Sequence, residues 1–335
     1  MCFHRSMAAG ESGRDGRTRI APIAALLTLS LLWACAALRV DLLTSLLPDL
    51  AETLPYLERQ VLPLTLLSIA AAAIALARGA QRRPAILPAM LPSVWIGLGL
   101  FTLPAVLVYL ADPWIPGLTR TTLFTLIPVF SVVFEPYLGL TTTQRLRGEL
   151  LAALVAVAGS LLVFPVATPN SLPGAGALIA VIAAAASVAA ANCHGTAKAV
   201  ALDSDRAGQL AAMASIAGAS GALTLAAASA VLEHPVWRWS ALAPELLWSA
   251  AIELPALLLL FWLLPRISAP RMTTRYVWGP LLALLVGVVG EHAGRAVQPR
   301  TWLGLALMAA GAGWMLFAPR EESRLSILPL DTTKP

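Results

Sequence analysis

TTLFTLIPVFSVVFEPYLG (residues 121–139) and TTRYVWGPLLALLVGVVGE (residues 273–291) begin alike and carry a proline at the same place. Thr121, Thr122 and Pro128 fall on Thr273, Thr274 and Pro280, an offset of 152 residues. The same offset, without a gap, carries Ala152 onto Gly304, Ala158 onto Ala310 and Gly159 onto Gly311. Upstream, FTLPAVLVYL (101–110) lies over IELPALLLLF (252–261) at an offset of 151. Further upstream, Ser68-Ile69-Ala70 lies over Ser215-Ile216-Ala217, and Arg59 over Arg206, at 147. Apolar sequence gives chance identities freely, but a nearly constant offset with shared prolines through several segments marks an internal repeat.

The repeated segments are membrane helices by composition. Of 335 residues, 58% are hydrophobic and only 12% charged, against roughly 25% charged in a soluble domain. Mean hydropathy is +0.77. Apolar runs of spanning length lie near 20–38, 61–77, 91–111, 121–140, 149–165, 175–193, 208–232, 242–264, 276–290 and 301–318. Runs such as AVIAAAASVAAA near 180–191 do not alternate apolar with polar, so they read as helices rather than barrel strands. The expected fold is an all-α polytopic membrane protein with ten transmembrane helices, arranged as two inverted five-helix repeats around a central cavity. Residues 1–19 and 320–335 read as tails, 20–167 as the first repeat and 168–319 as the second. Neither the tails nor the short loops hold a soluble catalytic module.

Five is odd, so the second unit enters the membrane from the side opposite the first. This is the inverted architecture of many secondary transporters, whose pathway lies between the halves. With the N-terminus inside, 17 of the 23 Lys and Arg fall on the inner side and six on the outer. The expected location is the inner (plasma) membrane, with both termini cytoplasmic. The basic start, apolar run and Ala34-Cys35-Ala36 have the look of a cleaved leader. The repeat argues against cleavage, because it gives the first helix a partner.

These residues also carry a family resemblance. TRTTLFTLIPVFSVVFEPYLG followed by RLRGELLAALVAVAGSLLVF, and TTRYVWGPLLALLVGVVGEHAG followed by RTWLGLALMAAGAGWMLFAP, resemble the drug/metabolite transporter superfamily, EamA type. Pro128 and Pro280 match the proline of each unit's fourth helix, and Gly290-Glu291 and Gly304…Gly311 match in the second unit. The first unit departs, with Leu138-Gly139 in place of Gly-Glu and Ala152 in place of the first glycine. The resemblance implies a cavity lined mainly by helices 1, 3, 4, 6, 8 and 9. With the repeat, it implies a permease or exporter of a small metabolite or drug-like solute, working by alternating access.

Two carboxylates stand well inside helices, Glu253 in helix 8 and Glu135 in helix 4. A charge at that depth costs roughly 2.5–3.5 kcal/mol on insertion scales, so it is retained where it faces a cavity or a partner. A carboxyl group taken out of water holds its proton more tightly, as a proton carrier must. Glu253 and Glu135 are therefore the candidates for binding a proton or a cationic group of the solute; otherwise each is a structural, helix-bonded acid. They are not repeat partners, since Glu253 aligns with Thr102 and Glu135 with Gly287. Thr102, Trp278 and Asn192 complete the candidate binding set. Trp278 precedes Gly279-Pro280, where a ring could stack on a ligand, with core or lipid packing as the plainer reading. Asn192, His194 and Lys198 end helix 6, where interfacial anchoring is the plainer reading. Pro104, Pro255, Pro128 and Pro280 are the candidate helix breaks or gates.

Trp114, Trp237, Trp239 and Trp302 read as an interfacial belt. Cys2, Cys35 and Cys193 have no metal-site or disulfide spacing, and no phosphate loop, HExxH or G-x-S-x-G occurs. No cofactor, no metal and no nucleic acid are expected, and the chain is not read as an enzyme. The expected partners are a small-molecule solute, the lipid bilayer and, as the candidate coupling ion, protons. The alternative is an intramembrane enzyme acting on a lipid, for which the four scattered histidines are a poor constellation.

Overall fold

A computed structural model describes residues 8–37, 54–78, 86–139, 143–202, 206–235, 237–291 and 298–317. The C-terminal tail, residues 1–7, Arg39, Asp41 and His292 lie outside them. In hydrocarbon every backbone N–H and C=O must be satisfied within its own segment, and the described residues are helical without a strand. Among the described residues, seven stretches are long and apolar enough to cross a membrane: Tyr56–Ala77, Leu91–Ala111, Gly117–Leu138, Leu146–Val163, Leu172–Val200, Ala207–Leu232 and Trp239–Leu263. Ile20–Ala36 is a shorter apolar helix. The chain is a polytopic α-helical membrane protein. Large apolar side chains such as Ile69, Ile179 and Leu223 point outward, as a lipid-facing surface requires.

The helices are α1 (Ala8–Ala37), α2 (Tyr56–Ala77), α3 (Ile86–Gly97), α4 (Leu103–Ala111), α5 (Gly117–Phe124), α6 (Ile127–Phe134) and α7 (Thr143–Val163). They continue as α8 (Leu172–Val200), α9 (Arg206–Leu232), α10 (Trp239–Trp248), α11 (Leu254–Leu263), α12 (Ala269–Thr273), α13 (Arg275–Glu291) and α14 (Pro299–Phe317). The helix α1 starts twelve residues before the apolar run at Ile20, inside the stretch expected to be a tail.

The repeated Leu-Pro-Ala produces the same backbone irregularity twice. A π turn over Leu98–Thr102 joins α3 to α4, and another over Ser249–Glu253 joins α10 to α11. The Leu103 N–H donates to the Leu98 carbonyl and the Leu254 N–H to the Ser249 carbonyl, each five residues back. Proline is the cause: the rings of Pro104 and Pro255 crowd the carbonyl four residues earlier and bring no N–H, so the preceding turn widens.

The two prolines of the opening stretches behave differently. Pro128 sits in the first turn of α6, just after a break at Thr125–Leu126. Pro280, expected to break its helix, lies inside the continuous α13, and the interruption falls earlier, at Thr274. The Thr274 carbonyl accepts from both the Val277 and Trp278 N–H groups.

Two pairings hold the bundle: α2 along α9, and α7 along α14. Both run on small residues. A Cβ on Gly159 would sit 2.6 Å from the Gly304 carbonyl, and one on Gly311 2.5 Å from the Ala152 carbonyl. A Cβ on Gly218 would sit 2.9 Å from the Leu64 carbonyl, and the Ser215 hydroxyl donates to the Ser68 carbonyl at 3.0 Å. Later residues on one helix meet earlier ones on its partner, so each pair is antiparallel. Among the remaining large contacts, α4 on α8 is matched by α11 on α1 and α6 on α8 by α13 on α1, while α3 also packs on α9.

Candidate functional site

A cleft of about 1310 Å³ opens at one end of the bundle. Its mouth is formed where α2 and α5 begin and where α4, α7 and α9 end, by residues such as Tyr56, Asp112, Arg120, Phe164 and Glu233. Its floor is made by Trp33, Phe124, Arg275, Tyr276, Gly279 and Pro280. A second cavity of about 340 Å³ adjoins it. The two share Trp33, Tyr56, Arg59, Phe124 and Tyr276, and the second reaches Pro104, Val188 and Glu253.

The charges at the mouth are engaged with each other or with backbone. Asp112 pairs with Arg120. The Glu233 carboxylate accepts from the Leu57 and Glu58 backbone N–H groups at 2.8 and 3.1 Å and from the Ser229 hydroxyl at 2.9 Å. Pro55, which precedes α2, offers no side-chain cap, so the end of α9 supplies one from 175 residues away. Arg59 lies over the Tyr56 ring, 5.5 Å from its centroid, within electrostatic reach of Glu233 and Glu253.

At the floor Arg275 is 1% exposed. Its guanidinium donates to the Met272 carbonyl at 3.1 Å, the Tyr276 hydroxyl at 3.2 Å and Asn192 Oδ1 at 3.3 Å. It lies 4.6 Å from the Tyr276 ring centroid and 5.2 Å from that of Trp33, two rings that meet edge to face at 5.4 Å. Asn192 is wholly buried, and its amide donates to the Val188 carbonyl at 2.7 Å, which turns its oxygen to Arg275.

The residues singled out by sequence are dispersed. Glu253 is half-buried, lines the second cavity and accepts from the Ser249 hydroxyl at 2.7 Å across its π turn. Pro104 lines the same cavity and Pro280 the main cleft, while Pro128 and Pro255 line neither. Thr102 lines neither of these cavities and shares a hydrogen bond with the Thr224 hydroxyl at 2.6 Å. Glu135 is buried where α6 gives way to a 3-10 turn containing Pro136, away from both cavities. Trp278 packs into the cluster formed with Val277, Met308 and Ala312, turned from the cleft. Asn192 reaches the site through Arg275. Of the helices expected to line the cavity, the sixth supplies Val188 alone, and the beginning of α2 and the ends of α7 and α9 join unexpectedly.

Sequence reading missed Trp33, Tyr56, Arg59, Arg275 and Tyr276. One signal was present for Arg275, which aligns with Leu123 in the repeat: a cation stands where the other copy has a buried leucine.

No protein-family profile matches the sequence, and no curated protein matches it. A solved crystal structure is similar with a TM-score of 0.67 at 20% identity, over 88% of this chain and 96% of that one. At that identity the likeness is one of fold.

Proposed function

We propose that this chain is a secondary transporter that moves a small metabolite or drug-like solute by alternating access. The observation that carries it is the cleft: deep, open at one end and floored by residues of both repeats. Phe124 and Tyr276, which align in the repeat, touch at its floor. Below, α6, α8 and α12 pack together, with the Cys193 thiol against the Ser131 carbonyl at 3.5 Å and Thr273 and Thr274 fully buried. A chamber open on one side and sealed on the other is one end state of such a cycle.

The proposal takes the bundle as ten crossings in two inverted five-helix units. Helices α3 and α4, α5 and α6, α10 and α11, and α12 and α13 each count as one interrupted rod. The matched π turns, the antiparallel pairing of repeat-related helices and the exchanged contact sets support this. The resemblance to EamA-type drug/metabolite transporters points the same way. The balance of basic residues supports an inner-membrane orientation with both termini in the cytoplasm and the cleft mouth outside. Glu253, facing the second cavity, is the proposed proton-coupling group. Glu135 lines neither of the two cavities and is the weaker candidate.

Purified protein in sealed liposomes tests the reading. Flux of an unmodified solute, saturable and absent from empty vesicles, is expected. Chemical alteration of the solute or lipid, without flux, would sink it.

A further inference from the structure

Arg275 has no carboxylate partner among the described residues, and its Nε hydrogen is without an acceptor. A buried charge left unpaired is costly, and proteins ordinarily match it with an opposite charge. What Arg275 has instead is loose. Neutral oxygens accept from it at 3.1–3.3 Å, longer than the commonest N–H···O separation, with the Tyr276 and Asn192 contacts at or beyond the end of the range. Two aromatic faces lie at 4.6 and 5.2 Å. Of the other charges of the large cleft, Asp112 pairs with Arg120, Glu233 is held by the α2 amides, and Arg59 lies over the Tyr56 ring within reach of Glu233 and Glu253. Arg275 forms part of the floor of that cleft.

We infer that the cleft floor binds an oxyanion, a carboxylate or phosphoryl group carried on a small apolar body. The oxyanion takes up the Arg275 guanidinium, with the body against Trp33, Phe124 and Tyr276. A guanidinium presents a planar fork of donors that matches both kinds of oxyanion, and rings beside it suit the apolar remainder. In this state the rings cover the cation. The ligand replaces the long contacts to Tyr276 and Asn192 and supplies the missing countercharge. This assignment rests on the reading of the cleft as a solute pathway and narrows its cargo to organic anions.

The test is thermal unfolding of purified, detergent-solubilised full-length protein. Benzoate and phenyl phosphate are the soluble probes, benzamide is the neutral control, and dihexanoyl phosphatidic acid represents a lipid headgroup. At least one soluble anion is expected to raise the melting temperature with concentration, with no effect of benzamide. Arg275→Gln should weaken that response by about tenfold or more. Asn192→Asp is the second variant, because it places a carboxylate beside the guanidinium in nearly unchanged shape. It should melt higher than the parent and lose the anion response. The inference is overturned if no anion binds, if benzamide acts equally, if only the lipid acts, or if Asn192→Asp retains the response. Flux of uncharged solutes with no anion binding would leave the transporter reading standing and remove this one. Arg275-dependent anion binding with no flux of any solute would do the reverse.

Discussion

The rings of Phe124 and Tyr276, 152 residues apart in the chain, lie with their centroids 6.2 Å apart at the floor of the cleft. The two residues align with each other in the sequence at the offset of 152. When equivalent residues of two related units meet, they do so near the axis relating the units. Ser68 and Ser215, also repeat equivalents, meet between α2 and α9 in the same way. Each of these helices carries its equivalent residues past the other in opposite directions, which motivates the inverted arrangement proposed above.

Close packing on glycine makes a prediction about stability. A side chain at Gly311 would strike the backbone of α7 at Ala152 and Ala156, whereas one at Gly313 meets nothing within 4 Å. Gly311→Val should therefore cost about 1–3 kcal/mol, read as an earlier unfolding transition in detergent. Gly313→Val should stay close to the parent. Equal effects at the two positions would remove the packing argument.

The clasp of Glu233 on the beginning of α2 makes another. Glu233→Ala leaves the Leu57 and Glu58 amides and the Ser229 hydroxyl without their acceptor. A loss of about 1–3 kcal/mol is expected, with faster hydrogen exchange in the first turn of α2. Protection in that turn equal to the parent's would contradict the assigned role.

The proline-widened turn sets the position of Glu253. Pro255→Ala restores an N–H and removes the ring clash, which lets the segment close to ordinary α-helix. A cysteine at position 253, in protein lacking the native cysteines, should then react more slowly with a water-soluble thiol reagent. Unchanged reactivity would mean that the proline does not aim this residue.

Proton coupling through Glu253 is tested by charge removal. In liposomes, Glu253→Gln should make solute flux independent of an imposed pH gradient while counterflow exchange persists. A Gln variant that still responds to the gradient assigns the coupling elsewhere.

What the sequence disclosed, and what it hid, follows from what each signal measures. Helical membrane crossing is imposed by lipid on the whole segment, so composition suffices to see it. The repeated Leu-Pro-Ala was visible because proline acts locally, and both copies distort alike. Pro280 shows the limit: the same residue type is accommodated inside α13, and the interruption moves to Thr274. Charge counting treats every Arg at a segment boundary as a loop residue, and Arg275 is one of the 17 it counts on the inner side, while tertiary packing buries it. Boundaries a few residues off had the same effect on Glu58, buried because α2 begins at Tyr56 rather than near residue 61. Which face of a helix turns toward the cleft depends on its neighbours, so Trp33 and Tyr276 were invisible while Trp278 looked attractive.

Gly279 offers the most direct measurement of the central claim. It lines the cleft, and a side chain there meets nothing within 4 Å. Gly279→Cys, in protein free of Cys2, Cys35 and Cys193, is to be exposed to a membrane-impermeant thiol reagent in right-side-out and in inverted vesicles. Alternating access predicts labelling from both sides, with transported solute shifting the balance between them. Labelling from one side only, whatever solute is present, would contradict it.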